Sequence, residues 1–547
     1  MLAMRPYQRE AVQRVRDAYR AGRRRVLVSL PTGTGKTVIF AHFPSELRMQ
    51  KRLLVLAHRE ELLVQARDKF LEIDPSLRVE IEQAGARASP EAKVVVASVA
   101  TLARSNGTRL SRLPPDDFSI VVVDEAHHAV APTYRKVFDH FGLFESDMKR
   151  LLVGFTATPR RGDRQGLGDV FEEVCYARDL RGMIGDAYLA PIAGWRVDTG
   201  VSLDGVRLRH GDFVESQLAS VVNTPERNRE VVRAYRDLAG GRRAIVFCVD
   251  VAHAHAVHEA FEETHVRAGA VWGAMPKEER RARLADFSAG AFDVVTNCNL
   301  LTEGFDEPRV DCIIMARPTR SRLLYAQMVG RGTRLHPDKN DLLVIDVADN
   351  SLKHELPGLH TLFDLPSTLN LSGRDALVVG REIEQLQRTY PWVDTTRIRT
   401  PEQIQVALER IDFFNFDPPP ELVDLTANTW YAVPDGYRLS LAKGAWLSVN
   451  RNLLDGWDVD LTRPGNGESA HHSVRTLRAA VELADRFAAA EFPDAARLIE
   501  RDARWRDRPP TEKQRETLAR RGIPLPDGVT RGQAAQIISM VISTRGR

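Results

Sequence analysis

The segment Leu30-Pro-Thr-Gly-Thr-Gly-Lys-Thr37 sets glycines, a lysine and a hydroxyl at the spacing that holds a phosphate chain. Glycines let successive backbone N–H groups point inward at phosphate oxygens. Thr32, Gly33, Thr34 and Gly35 form the cradle, Lys36 reaches the β- and γ-phosphates, and the Thr37 hydroxyl suits Mg²⁺. The strict pattern has glycine where this chain has Leu30, and its Gly35-Lys36-Thr37 end is complete. Further on, Ile120-Val-Val-Val123 runs into Asp124-Glu125-Ala126-His127. Two adjacent carboxylates at the C-terminal end of a buried strand stand where open α/β sheets bind ligands. Asp124 suits Mg²⁺ through its water shell, and Glu125 suits proton removal from an attacking water. Both roles serve phosphoryl transfer, where positioning and charge neutralisation dominate.

These groups need a sheet to carry them. Short β-branched runs at 26–30, 53–57, 94–98, 120–124 and 151–156 read as strands, and 7–21, 60–72 and 132–140 as helices. Alternating strands and helices imply a parallel sheet covered on both faces. Residues 186–225 read as an irregular bridge. The pattern then repeats, with strands at 244–248, 269–272, 292–297, 311–315 and 342–347. Past 350, 374–412 reads as helical and Asp417-Pro-Pro-Pro420 as a linker. A β-meander follows at Trp430–Val433, Tyr437–Leu441, Trp446–Val449 and Trp457–Leu461, its turns built on Asp-Gly and Lys-Gly pairs. Residues 471–490 read as a helix. Thr511–Gln514 and Thr530–Gln533 both fit the capping box and predict helices near 512–521 and 531–542. The expected organisation is four parts: 1–190, 191–370, 371–470 with the meander, and a basic helical tail at 471–547.

Further strings follow the phosphate loop and the acidic pair in order: Arg5-Pro-Tyr-Gln8, Ala57–Leu62, Ala97–Leu102, Thr156-Ala-Thr-Pro159, Ile245–Cys248, Asn297–Asp306 and Gln327-Met-Val-Gly-Arg-Gly-Thr-Arg334. With these the chain resembles superfamily 2 helicases and translocases of the DExH branch over residues 1–350. Thr158–Val170 and Ala187–Pro191 are similar to the XPB-like and RadD-like bacterial group. RadD-like relatives can carry a Cys-rich zinc module, which this sequence lacks. His127 and the Gln-x-x-Gly-Arg-x-x-Arg form of the last string favour DNA-acting enzymes over RNA-unwinding DEAD-box proteins.

The resemblance implies a fold and a set of roles. The fold is α/β, with two tandem RecA-like doubly wound parallel-sheet lobes and a smaller C-terminal α+β accessory region. Arg5 and Gln8 would recognise adenine. Arg331 and Arg334, one helical turn apart, would reach the γ-phosphate, and Gln327 would orient the attacking water beside Glu125. Gly304 and Asp306 would line the nucleotide side of the second lobe. Arg59, Thr101 and Thr302 would touch nucleic-acid phosphates, contacts that carry no base information. The implied ligands are ATP, Mg²⁺ on Thr37 and Asp124, and DNA, single-stranded or duplex. The implied activity is ATP hydrolysis coupled to movement along DNA in repair or recombination. A motor subunit of a restriction or anti-phage system is the alternative, followed by a catalytically silent nucleic-acid-binding module or an RNA helicase.

Composition narrows the classes. The chain is 43% hydrophobic and 28% charged with a net charge of +3, so any basic track is local. Residues 501–547 hold eleven Lys and Arg against five Asp and Glu. That surplus suits a phosphate grip or a docking hairpin for a protein partner. Cys175, Cys248, Cys298 and Cys312 form no Cys-x-x-Cys pair and read as buried free thiols of a cytoplasmic protein. No apolar run is long enough to span a membrane. His253, His255 and His258 do not converge, because positions 253 and 255 of a helix point about 200° apart, and His471-His472 lacks zinc-spaced companions. No zinc is expected. Trp430, Trp446 and Trp457 read as the core of a small sheet in preference to a base-stacking platform. No nuclease, methyltransferase or protease signature is present.

Overall fold

The computed structural model describes residues 3–104, 108–145, 148–157, 166–209, 211–302, 304–350, 356–389, 395–404, 419–433, 436–441, 445–452, 456–463, 470–493, 499–520, 525 and 528–545. They form two compact units, one of residues 1–365 with 371–378, the other of 366–370 with 379–547.

The first unit contains two parallel sheets. Strands β1 (Arg25–Ser29), β2 (Arg52–Ala57), β3 (Val79–Glu82), β4 (Val94–Ser98), β5 (Phe118–Val123), β6 (Leu151–Thr156) and β7 (Glu173–Ala177) lie in the order β3-β4-β2-β5-β6-β1-β7. Every neighbouring pair is parallel. The central strands are buried on both faces, which is why they read as unbroken Val/Leu/Ile runs with no alternation. The five expected strands and three helices of this lobe are present. The sequence reading missed the two edge strands, β3 and β7. Their polar and partly exposed residues carry no apolar run.

The second lobe takes its first strand from residues expected to form an irregular bridge. Within the stretch read as irregular lies β8 (Ile192–Ser202), an eleven-residue strand. A short antiparallel pair follows, β9 (Leu208–Arg209) with β10 (Asp212–Phe213). Strands β11 (Ala244–Cys248), β12 (Ala268–Val271), β13 (Val294–Cys298), β14 (Cys312–Met315) and β15 (Leu342–Asn350) complete a parallel sheet in the order β12-β13-β11-β14-β15-β8. The edge strand β8 runs alongside β15 from Ile192↔Leu342 onward. It closes the sheet with the chain segment that leaves the first lobe. Helices start on polar caps: Asp250 accepts from His253 N at 2.7 Å and Ser321 from Leu324 N at 3.2 Å. Cys248 and Cys312 are buried free thiols; Cys175 and Cys298 are only half-buried. Burial pushes all four thiols up, Cys175 to about 12 and Cys298 to about 11.

The second unit is α+β. Strands β16 (Trp430–Val433), β17 (Gly436–Ser440), β18 (Trp446–Arg451), β19 (Trp457–Thr462) and β20 (Ala470–Val474) form an antiparallel meander. The four expected strands are there. A fifth occupies residues expected to begin a helix, and the helix itself runs Leu477–Glu491 from the Thr476 cap. Its Ala480, Val481, Ala484 and Ala488 join Trp430, Leu439, Leu447, Val449 and Val459 in one core. Trp430 is 2% exposed and belongs to that core, Trp457 packs against it, and Trp446 is half-buried. The helix expected over 374–412 is described over Ala376–Thr389, and residues 405–418, with the start of the expected linker, lie outside the described residues.

Both capping boxes form. Thr511 Oγ1 accepts from Gln514 N at 3.3 Å and Thr511 N donates to Gln514 Oε1 at 2.9 Å. The Thr530–Gln533 pair repeats this at 3.3 and 2.8 Å. The helices they start, Glu512–Ala519 and Arg531–Arg545, are tied together by Gln514 Nε2 donating to Arg531 O at 3.2 Å.

Candidate active site

The phosphate loop is built by the end of β1. Leu30, at the position where the strict pattern has glycine, still behaves as strand. Its side chain is fully buried, its N–H donates to Thr156 O at 2.9 Å, and its carbonyl accepts from Lys36 Nζ at 3.3 Å. Gly33 and Gly35 then take φ of +86° and +71°, values L side chains resist. That double reversal aims the N–H groups at the start of helix Lys36–Ala41 into the loop. The loop is braced from behind. The Tyr7 hydroxyl donates to Thr34 O at 2.6 Å, Gln8 Nε2 to the same oxygen at 3.1 Å, and Thr34 Oγ1 to Pro31 O at 2.7 Å. Gln8 Oε1 accepts from Arg5 N at 2.8 Å, and Arg5 Nη1 reaches Tyr188 O at 3.2 Å. Tyr7 stacks obliquely on Tyr188 at 4.6 Å. The sequence reading found Arg5 and Gln8 and missed Tyr7, which lies between them in the same string.

Lys36 is 8% exposed, and its ammonium stands 3.9 Å from Glu125 Oε1. Asp124 follows β5 directly, and its Oδ1 accepts from Glu125 N at 3.0 Å. Glu125 sits at φ +49°, ψ +56°, a left-handed conformation that costs a non-glycine residue free energy. Its Oε2 lies 3.4 Å from His127 Nδ1. His127 and His58 flank His128, with ring centroids 4.1 and 4.2 Å away. These three mutually tilted rings join the acidic segment to the Ala57–Leu62 segment, and no short string announces the contact.

The second lobe meets the loop directly. Thr333 Oγ1 donates to Thr32 O at 3.3 Å and to Gly330 O at 3.0 Å. A Cβ on Gly330 would lie 2.5 Å from Thr32 Cβ, so only glycine lets the two segments close on each other. Arg331, 5% exposed, donates to Phe305 O at 3.0 Å. Arg334 Nε pairs with Asp306 Oδ1 at 3.0 Å, and burial lowers the Arg334 pKa against the pull of Asp306 and Glu307. The helix that carries Gln327 is pinned by Tyr325, whose hydroxyl lies 2.8 Å from both Asp346 oxygens. Burial raises the Asp346 carboxyl to about 6. Beyond the arginines, the buried Lys339 donates to Val310 O at 2.6 Å and to Gly332 O, and burial pushes its pKa down to about 8.

The structure therefore brings Thr32, Gly33, Thr34, Gly35, Lys36, Thr37, Asp124 and Glu125 together, with Gln327, Arg331 and Arg334 on the segment that abuts them. Gly304 packs against Glu61 and Leu62 of the first lobe, and its carbonyl accepts from Gln65. Asp306 is engaged with Arg334. Arg59 donates to Leu300 O at 3.4 Å across the lobes, the Thr302 hydroxyl is turned to Asn299 O at 3.1 Å, and Thr101 N–H is capped by Ser98 Oγ at 3.4 Å. Two ion pairs reinforce this side, Glu60–Lys277 at 2.5 Å and Glu61–Arg280 at 2.8 Å. Residues 158–165, which include the end of the Thr156–Pro159 string, lie outside the described residues.

The residues fit a magnesium nucleotide. The glycine cradle, the Lys36 ammonium and the buried, unpartnered Thr32 hydroxyl suit phosphates, and Thr37 with Asp124 supplies the hard oxygen donors Mg²⁺ takes. Among the described residues, no group of three or more His, Cys, Asp or Glu side chains could hold another metal ion.

Sequence comparison agrees with this geometry. Residues 1–161 match the family model Type III restriction enzyme, res subunit; residues 226–336 match Helicase conserved C-terminal domain; residues 417–547 match Mitochondrial helicase Irc3, C-terminal domain. The Schizosaccharomyces pombe protein named mitochondrial ATP-dependent helicase irc3 is 31% identical over 99% of this chain and 90% of its own length. The chain belongs to the Irc3-type ATP-dependent helicases of superfamily 2. The Saccharomyces cerevisiae IRC3 helicase is 35% identical over 63% of this chain, which spans only 51% of that protein. The endonuclease subunit of the type I restriction enzyme EcoKI of Escherichia coli is 28% identical over 62% of this chain and 34% of its own length. Membership makes the chain an ATP hydrolase with two RecA-like lobes, related to restriction-enzyme motor subunits.

Proposed function

We propose that this helicase moves along DNA, in repair or recombination, and that its hydrolytic groups are those assembled above. The observation that carries the reading is the seating of Gly330 and Thr333 on Thr32. One lobe holds the phosphate loop and the other brings Arg331 and Arg334 to it, so a change at the γ-phosphate becomes a change in lobe contact. Thr37 and Asp124 would hold Mg²⁺, which neutralises phosphate charge when bound. Lys36 binds the phosphates, and Glu125 takes the proton of a water that Gln327 orients. The left-handed backbone at Glu125 fixes the direction of its carboxylate. Arg331 and Arg334 offset charge developing on the transferred group. Arg59 and Thr101, on the Ala57–Leu62 and Ala97–Leu102 segments, together with Thr302, would line a track for DNA phosphates. Free thiols suit a reducing compartment.

The test is ATPase activity across single-stranded DNA, duplex DNA and RNA. Stimulation by DNA over RNA is expected; equal or greater stimulation by RNA overturns the DNA reading. A motor subunit of a restriction or anti-phage system is the second reading. It is favoured by the likeness to the type III res subunit model and to the EcoKI subunit. A nuclease or methyltransferase that co-purifies with the chain would select it.

A further inference from the structure

The C-terminal unit holds a cavity of about 200 Å³ where the meander meets the final helix. Its floor is apolar, built from Leu439 and the buried ring of Tyr431. Its walls are polar and incompletely satisfied. Gln536, 8% exposed, lines it with a primary amide. The indole N–H of Trp505 lines it too and is buried with no partner. Arg506, half-buried, stands at the same wall with its guanidinium 5.2 Å from the Trp505 ring centroid.

Buried donors in native proteins are nearly always paired, so the unpaired Trp505 indole N–H facing this space calls for an explanation. A cavity below the ~300 Å³ of a drug-sized site takes a single ring system. A primary amide offers one donor and one acceptor side by side, the complement of a base edge. The indole N–H adds a second donor, the apolar floor accepts a ring face, and a guanidinium at the wall suits the attached phosphate. Trp430, Trp446 and Trp457 do not line this space.

We propose that this cavity takes one unpaired nucleobase, with Gln536 and Trp505 on its edge and Arg506 on its phosphate. The base comes from a single strand of the DNA that the motor engages, and in that respect the proposal rests on the DNA reading above.

The test uses the full chain and fluorescence anisotropy. Two duplexes carry the same single-stranded extension, one with bases and one abasic. Wild type should bind the base-bearing form roughly 10-fold tighter, the scale of one stacked base. Gln536→Leu and Trp505→Phe should each erase most of that difference and leave abasic affinity and DNA-independent ATPase unchanged. The two variants fail independently if either does not fold, and a circular-dichroism melt identifies the one to discard. Variants that keep the wild-type preference for bases overturn the proposal. If deoxyadenosine monophosphate competes at micromolar concentration, the ligand is a free nucleotide and the strand assignment falls. If neither duplex binds, the DNA reading fails on its own. Calorimetry of deoxyadenosine monophosphate against Lys36→Ala and Lys36→Ala/Gln536→Leu then decides the cavity. Binding lost with Gln536 supports it, and equal or absent heats overturn it.

Discussion

In the two-lobed unit, the acidic pair and the phosphate-loop lysine are fixed by nearby backbone; in the C-terminal unit, order comes from side chains far apart in sequence. Glu125 is aimed by its left-handed φ and by Asp124 beside it, and Lys36 bonds a carbonyl six residues earlier. The C-terminal unit instead converges on one carboxylate. Asp485 accepts from Thr426 Oγ1 at 2.5 Å, Asn428 Nδ2 at 2.9 Å and Trp430 Nε1 at 3.2 Å, partners 55–59 residues away. Chemistry that needs a fixed vector is written in short strings. Packing that needs only mutual satisfaction is distributed.

The largest expected effect tests the two-lobed unit at Arg331, which is anchored 26 residues away in sequence on the Phe305 carbonyl. Arg331→Ala should cut ATP hydrolysis by ~10³ or more, the scale of an arginine finger, while ATP affinity stays within a small factor. Steady-state turnover and nucleotide titration check it. A loss of only about two-fold would make Arg331 a packing residue held by Phe305. Glu125→Gln keeps shape and removes the base. It should bind ATP and DNA and hydrolyse ~10²–10⁴-fold more slowly, measured by single-turnover kinetics. Near-wild-type turnover would move the base elsewhere, and His127, 3.4 Å from Glu125, would be the first place to look.

The same contrast explains what the sequence revealed. Loop, acidic pair and arginines were legible because their spacing along the chain is their geometry. The central strands were legible because burial on both faces leaves unbroken apolar runs. Edge strands β3, β7 and β8 were hidden, since partial exposure mixes polar residues into them. The strand β20 was read as helix because Ala470-His-His-Ser-Val474 has no strong period, and its pairing with β19 decides the matter. Tyr7, Thr333 and the contact of His58 with His128 carry no local signal because their partners lie on other segments. The packing of Gly304 on Glu61 carries no sequence signal either, because it is set by how the lobes meet.

A third change sharpens the comparison from the other side. Asp485→Ala leaves a hydroxyl, an amide and an indole N–H without their shared acceptor. Unpaired buried donors cost ~1–3 kcal/mol each, and Thr426 and Trp430 are buried while Asn428 is half-exposed, so the C-terminal unit should lose about 2 kcal/mol or more. Hydrogen exchange should show β16 and the Leu477–Glu491 helix opening, while DNA-independent ATPase persists. If ATPase falls in parallel, the catalytic unit depends on that network and the contrast fails.

The smallest effect tests whether distributed packing also operates inside the second lobe. His253 is fully buried beside Arg227, and its Nδ1 accepts from Val249 N at 3.2 Å. Burial, then the Arg227 charge, lowers its pKa from 6.5 to about 3. The folded state therefore refuses a proton that the unfolded chain accepts below pH 6.5. Stability from this group is complete above 6.5 and declines as pH falls toward 3. About one unit below the unfolded value, near pH ~5.5, the loss is about 1.4 kcal/mol. Each kcal/mol is worth roughly 2–4 °C of melting temperature in a lobe of this size. His253→Gln carries no titrating ring and should show a flatter melting temperature between about pH 7.5 and 5.5 than wild type. Parallel pH profiles would mean that other groups set the acid sensitivity of this lobe, and that the His253 ring takes up its proton without opening the fold.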